Sequence, residues 1–230
     1  MEMGNAESVL LELEDISRSF AGVAALRGAG LRVRQGEVHA LVGENGAGKS
    51  TMMKIISGSL RPDSGTLRWR GETARWATPR QAAARGIALA HQEPLLAPHL
   101  TVAENLFLGH EPGRAAGLLL DHKQLQARAG RLLQEYGLPL EAARRADGLS
   151  AAQRQLLELG RALATGHSLL ILDEPTSSLS EPEAEIVMRT VDGLKQRGTA
   201  VIYISHRLEE VRRVAERVTI LRDGRTVHSG

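Results

Sequence analysis

Cysteine is absent from the 230 residues, which excludes disulfides and thiolate chemistry and fits a cytoplasmic setting. Aromatic residues are nearly as scarce. Two Trp, two Tyr and two Phe cannot build a stacking platform for nucleic-acid bases. A formal net charge of +2 is too small to argue for a polyanionic partner, so nucleic acid is not expected. No apolar run approaches the roughly 18 residues that a membrane span needs, and the first residues lack the basic-then-apolar order of a secretory leader. Lysine is rare too: Lys49, Lys54, Lys123 and Lys195 are the four, leaving 25 arginines among the 29 basic residues. With 42% hydrophobic and 24% charged residues, the composition is that of a globular domain with a substantial core.

One of the four lysines sits in Gly43-Glu44-Asn45-Gly46-Ala47-Gly48-Lys49-Ser50, which reads G-x-x-x-x-G-K-S. A strand-like run, 37–42, precedes it and a helix-like run, 49–57, follows, the context of a phosphate-binding loop. The glycines let successive N–H groups turn inward around an anion, and the helix N-terminus favours the same negative charge. Lys49 would reach the outer phosphates and Ser50 would ligate Mg²⁺. A second cluster, Leu169-Leu170-Ile171-Leu172-Asp173-Glu174, sets four apolar residues before two carboxylates. That pattern suits a buried strand delivering acids to its C-terminal edge, where α/β sheets hold their ligands. Asp173 would bind Mg²⁺ and Glu174 would polarise an attacking water.

Leu11 and Leu13 alternating with Glu12 and Glu14, then Leu31 and Val33 with Arg32 and Arg34, predict half-buried antiparallel strands before the loop. A further strand is expected at 66–70. Thr78 and Pro79 open a helix, and 87–90 forms a short strand. The stretch 94–149 reads as mostly helical: Thr101 with Glu104 makes a capping-box pattern, and Asp121 opens a run ending near Gly137. Strands at 169–172 and 200–204 then alternate with helices at 180–197 and 208–215, the order of a parallel α/β core. The final element, 218–227, is expected as a hairpin turning at Asp223-Gly224.

Leu149-Ser150-Ala151-Ala152-Gln153, lying between the helical stretch and the acidic pair, resembles the signature motif of ATP-binding-cassette (ABC) ATPases. Phe20, Gln92, Ser178-Leu179-Ser180 and His206 stand where that family carries its other motifs, so the resemblance covers nearly the whole chain. It implies an α/β P-loop NTPase fold of ABC type, with a parallel-sheet core, an antiparallel β subdomain and a helical subdomain. One cassette would span 1–230, with its core at about 1–93 and 165–230 and its helical subdomain at about 94–164. The resemblance further implies that Phe20 stacks on adenine and that residues 43–50, with Thr51, bind the nucleotide. Gln92 would touch Mg²⁺ and the attacking water, and His206 would hold the γ-phosphate. Ser150 to Gln153 would act on nucleotide held by another cassette, with Ser178 to Ser180 as the loop that communicates across the pair. Ala151 and Ala152 replace the two glycines of the family's commonest signature; their methyls and their aversion to positive φ would hinder a close approach.

Several stretches are similar to sugar-importer ATPases: His91-Gln92-Glu93-Pro94, residues 101–106, 203–208, and Leu221-Arg222-Asp223-Gly224-Arg225. That likeness implies ATP and Mg²⁺ as cofactors and transmembrane permease subunits as partners. A second cassette, as a C-terminal half or a second copy, is implied as well, with a periplasmic solute-binding protein acting indirectly. The chain would then lie peripherally on the cytoplasmic face of the membrane, as the N-terminal of two cassettes. The competing reading is a soluble ABC ATPase of nucleic-acid metabolism or translation, which predicts a long coiled-coil insertion or basic linkers.

Overall fold

A computed structural model describes residues 8–111, 113–114 and 119–230. Residues 1–7, 112 and 115–118 of the spans expected above lie outside the described residues. In chain order come β1 (Val9–Phe20), β2 (Val23–Arg34), β3 (Val38–Val42), α1 (Lys49–Ile56), β4 (Ser64–Trp69), β5 (Glu72–Thr73), α2 (Pro79–Ala84) and β6 (Ile87–Ala90). There follow α3 (Val102–Leu106), β7 (Gly113–Arg114), β8 (Leu119–Leu120), α4 (His122–Glu135), a 3-10 turn (Ala146–Gly148) and α5 (Ala151–Leu163). The remainder is β9 (Leu169–Asp173), α6 (Glu181–Gln196), β10 (Ala200–Ile204), α7 (Leu208–Val214), β11 (Arg217–Arg222) and β12 (Arg225–Ser229). Two compact units result: residues through Leu89 with His167–Asp173 and Val191–Gly230, and Ala90–Gly166 with Glu174–Thr190.

The first unit holds two sheets. An antiparallel sheet runs β2-β1-β4-β5, and a six-stranded sheet runs β12-β11-β3-β10-β9-β6. In the second, β3 lies between β11 and β10, parallel to both, and β10 is parallel to β9. The apolar runs explain this placement. Ala200 to Ile204 and Leu169 to Leu172 are buried throughout, as parallel strands covered on both faces must be. α1 buries Met52, Met53, Ile55 and Ile56 in the same core as Leu41, Ile171, Ile202 and Ile204. Trp76 donates its indole N–H to Ile56 O at 2.8 Å and meets Trp69 edge to face with ring centroids 6.3 Å apart, which anchors the end of α1. His39 is fully buried in β3 and uses both ring nitrogens, one on Glu37 at 2.9 Å and one on Thr219 of β11 at 2.8 Å. A buried polar ring so satisfied fixes β3 against β11.

β1 and β2 are twelve residues each, longer than the alternation at 11–14 and 31–34 indicated. Register shifts interrupt their pairing between Leu13 and Ile16, beside Asp15 at φ 52, and a bulge of this kind shifts the face on which each side chain lies.

In the second unit, α3 packs on α4 and α5. The expectation of a mostly helical 94–149 is only partly met: α3 has five residues, β7 and β8 form an antiparallel pair, and 137–149 carries only the 3-10 turn. Pro94, Pro98 and Pro139 each remove a helical N–H and clash with the preceding turn, which cuts the helices short. The local signals that survive are caps. Asp121 accepts from Gln124 N–H at 3.1 Å to start α4, and Thr101 with Glu104 closes a capping box at α3. Buried Asn105 ties the loop before α3 down, accepting from Ala97 N–H at 2.8 Å and donating to the Ala97 and Thr101 carbonyls at 3.0 Å.

Hydrogen bonds from the Thr101 N–H and hydroxyl hold the Glu104 carboxyl below its usual range. The folded pKa is depressed, so this contribution is present above the ordinary glutamate value of about 4.3 and is lost as pH falls through the folded value. Thermal melts between pH 6 and pH 3 should therefore show a smaller acid-induced drop for Glu104→Gln than for the unmodified protein. At neutral pH, Thr101→Ala should cost about 1 kcal/mol in denaturant melts.

Candidate functional site

β3 ends at Val42, and the chain turns through Gly43 to Gly48 into α1. Gly48 is the N-cap at φ 106, with no side chain capping the helix, so α1 presents its first N–H groups without a competing acceptor. Ala47 is buried, while Glu44, Asn45 and Gly46 are exposed. Lys49 folds back over the loop and donates from Nζ to the Gly43 carbonyl at 2.6 Å and the Glu44 carbonyl at 3.0 Å. The ammonium thus sits where the loop's own oxygens converge. Ser50 is exposed and Thr51 half-buried in the first turn of α1.

Strand register sets what lies near this loop. Ile204 of β10 pairs with Leu41 of β3 on one side and with Asp173 of β9 on the other. All three strands run the same way, so Val42-Gly43, Asp173 and Ser205-His206 leave the sheet at one C-terminal edge. Asp173 is half-buried there. His206 is exposed on a braced turn: Glu210 accepts from Tyr203 OH at 2.9 Å and Ser205 OH at 3.1 Å, and the Ser205 hydroxyl accepts from Arg207 N–H at 3.0 Å.

Phe20 closes β1 before the Ala21-Gly22 turn and is 44% exposed, so it is not a core residue. The Arg18 guanidinium lies 5.2 Å from its ring centroid and is itself held by Asp63 at 2.5 Å. Asp63 also accepts from Ser19 N–H at 2.8 Å, which stiffens the approach to the ring.

The other expected residues belong to the second unit. Gln92 donates from Nε2 to Glu174 Oε2 at 3.1 Å, so these two are brought together. Glu174 has φ 48, a left-handed conformation that costs a residue other than glycine about 1–3 kcal/mol and persists where its surroundings enforce it. Ser150 caps α5: its hydroxyl accepts from Gln153 N–H and the Gln153 side chain accepts from Ser150 N–H, both at 3.1 Å. Ala151 and Ala152 are the first residues of α5 and have no positive φ, so the expected backbone penalty does not arise. Alanine is the best helix former, and the capping box needs no glycine behind it. Ser180 donates to Glu183 from its N–H at 2.9 Å and its hydroxyl at 2.7 Å, holding that carboxyl below its usual range and closing the turn that carries Ser178 and Leu179.

Glu158 was not among the expected residues. It is 3% exposed on α5, and one carboxylate oxygen receives the His91 N–H at 3.5 Å. The other is buried with no hydrogen-bond partner and faces Arg161 Nη1 at 3.8 Å. Arg161 also donates to Leu95 O at 2.6 Å, so α5 grips the segment around Gln92 at both ends. Its signal in the sequence is a charge inside the apolar run Leu156-Leu157-Glu158-Leu159. Among the described residues, no three His, Cys, Asp or Glu side chains gather as a metal cage. Mg²⁺ suits such a donor set, since it takes one or two protein oxygens and completes its shell with water and phosphate. Ser50 and Asp173 are donors of that kind.

A protein of Agrobacterium fabrum (strain C58) named for ribose/galactose/methyl galactoside import ATP-binding is 49% identical over 98% of this chain and 44% of its own length. A ribose import ATP-binding protein of Rhodococcus jostii (strain RHA1) is 44% identical over 95% of this chain and 43% of its own. The chain thus spans less than half the length of these relatives. A solved nucleotide-free ATP-binding cassette from an ABC transporter superposes with TM-score 0.85 at 28% identity, covering 96% of this chain and 91% of that one. The ADP conformation of such a cassette gives 0.84, also at 28% identity. The ABC transporter family model matches residues 26–177, from β2 to the turn beyond Glu174. On that match, which takes in most of the chain, the protein belongs to the ABC transporter family.

Proposed function

We propose that this chain is an ATP-binding and ATP-hydrolysing cassette that energises import of a sugar or sugar-like solute across the cytoplasmic membrane. The observation that carries the reading is the level C-terminal edge of β3, β10 and β9, where the phosphate loop, His206 and Asp173 leave one sheet. Residues 43–51 would receive the triphosphate, with Lys49 exchanging its loop carbonyls for the β and γ phosphates. Phe20 would stack on adenine. Mg²⁺, which Ser50, Asp173 and Gln92 would hold, would neutralise charge on the phosphates. Glu174 is the general base, accepting the proton of the attacking water, with Gln92 orienting its carboxylate. His206 hydrogen-bonds the γ-phosphate.

Ser150 to Gln153 would act on nucleotide held by a second cassette, with Ser178 to Ser180 at the same junction; the exposed start of α5 supports this. Permease subunits are the direct partners at the cytoplasmic face, and a periplasmic binding protein is an indirect one. The import names of the relatives support a sugar cargo. Against the soluble alternative, α4 is the longest helix described between 94 and 164, and its 14 residues are too few for a coiled coil of three or four heptads. No helix among the described residues is long and apolar enough to cross a membrane.

Calorimetric titration should show Lys49→Ala binding Mg-ATP at least about tenfold more weakly than the unmodified protein; equal affinity would remove the loop from the reading. Glu174→Gln should keep nucleotide affinity while turnover falls about 10²- to 10⁴-fold, as expected for losing a general base. Specific ATPase activity of the isolated chain should rise with protein concentration, because a pair of cassettes is the competent species. Ser150→Arg should abolish that rise. A flat concentration series in the unmodified protein would mean that Ser150 acts on no second copy.

A further inference from the structure

We propose that Gly224, in the turn between β11 and β12, is a positioning residue that holds the phosphate loop in its anion-binding shape from outside the loop. This rests on the nucleotide reading above and adds to it a residue far along the chain. Gly224 N–H donates to the Ala47 carbonyl at 3.1 Å, and the Gly224 carbonyl accepts from Arg27 N–H of β2 at 2.7 Å. One residue therefore bridges the loop and the neighbouring strand through its own backbone. A peptide group is planar and trans, so fixing the Ala47 carbonyl toward Gly224 aims the Gly48 N–H the opposite way. That N–H opens the helix-capping turn on which an anion would rest.

The packing leaves no slack for a different arrangement. A methyl group at position 48 would fall 2.7 Å from Leu26 Cδ2 and 2.8 Å from the Ala25 carbonyl oxygen. One at position 224 would fall 2.8 Å from that same Ala25 oxygen. One at position 43 would strike the Leu221 carbonyl of β11. The loop is thus clasped between β2 on one side and the β11–β12 hairpin on the other, all within the first unit. Asp223 and Gly224 sit at φ 51 and φ 76, the paired left-handed conformations of a two-residue hairpin turn, which point the turn's backbone at the loop. A second tether sets the hairpin's height: the Thr226 hydroxyl accepts from Gly30 N–H at 3.0 Å and donates to Gly30 O at 2.6 Å.

A matched control exists in the same unit. Arg70 and Gly71, between β4 and β5, have φ 52 and φ 82, nearly the values of Asp223 and Gly224, but a methyl at 71 meets nothing within 4 Å. Gly71→Ala imposes the same backbone strain without touching the loop. Affinities for Mg-ATP and Mg-ADP are measured by calorimetry well below the melting temperature for the unmodified chain, Gly224→Ala, Gly71→Ala and Thr226→Val. Both alanine variants should melt earlier. Gly224→Ala should bind either nucleotide at least about tenfold more weakly, Thr226→Val about threefold more weakly, and Gly71→Ala within about twofold of the unmodified chain. A folded Gly224→Ala with unchanged affinity, or an equal loss in Gly71→Ala, would overturn the proposal. If Gly224→Ala does not fold, an unchanged affinity in Thr226→Val overturns it. Failure of the unmodified chain to bind nucleotide would instead overturn the nucleotide reading and this inference with it.

Discussion

Parallel pairing of β3, β10 and β9 in a common register is the constraint from which the first unit's chemistry follows. Parallel strands cannot be joined by tight turns, so each return is made by a helix or a longer crossover, and all strand ends of one kind fall on one edge. The price of that arrangement is strands without a polar face, and Leu169 to Leu172 and Ala200 to Ile204 carry none that reaches water. Polar chemistry then begins at the first residue past the buried run. Asp173 is that residue on β9, Ser205 and His206 follow on β10, and the glycine-rich loop follows on β3. The His39 ring is buried inside the sheet as well, and it is tolerated because Glu37 and Thr219 satisfy both of its nitrogens.

Within each unit the reactive groups are held in arrangements with a specific release. Lys49 rests on two carbonyls of its own loop, hydrogen bonds that a phosphate would replace with stronger, charge-assisted ones. Glu174 sits in left-handed backbone and is engaged by Gln92, so the segment that α5 grips through His91 and Leu95 bears directly on the orientation of that carboxylate. A shift of α5 would therefore reach Glu174 through two short links, one backbone grip and one side-chain hydrogen bond.

How much of this could be read in the sequence depends on how local each cause is. The phosphate loop, the caps at Thr78, Thr101 and Asp121, and the turn at Asp223-Gly224 were legible because a few adjacent residues determine them. The strand at 87–90 and those ending at Asp173 and Ile204 were legible because their apolar runs are unbroken. The full lengths of β1 and β2 were hidden, since a bulge at Asp15 breaks the alternation that marks a strand. Helix was overestimated between 94 and 149, where prolines outweigh favourable composition. The positive φ anticipated at Ala151 and Ala152 is absent, because both lie in the first turn of a capped helix. The positive φ of Glu174, the burial of Glu158 and the reach of Gly224 to Ala47 depend on distant parts of the chain and left only faint marks, a charge among leucines and a turn motif without an assigned task.

The central claim is that one sheet edge gathers the phosphate-binding machinery of the first unit. Backbone amide NMR of the labelled chain, titrated with Mg-ADP, tests it most directly. The largest shift changes should fall on residues 43–51, Asp173 and His206 together, following one binding curve. Changes confined elsewhere, or changes at 43–51 with Asp173 and His206 unmoved at saturation, would contradict it.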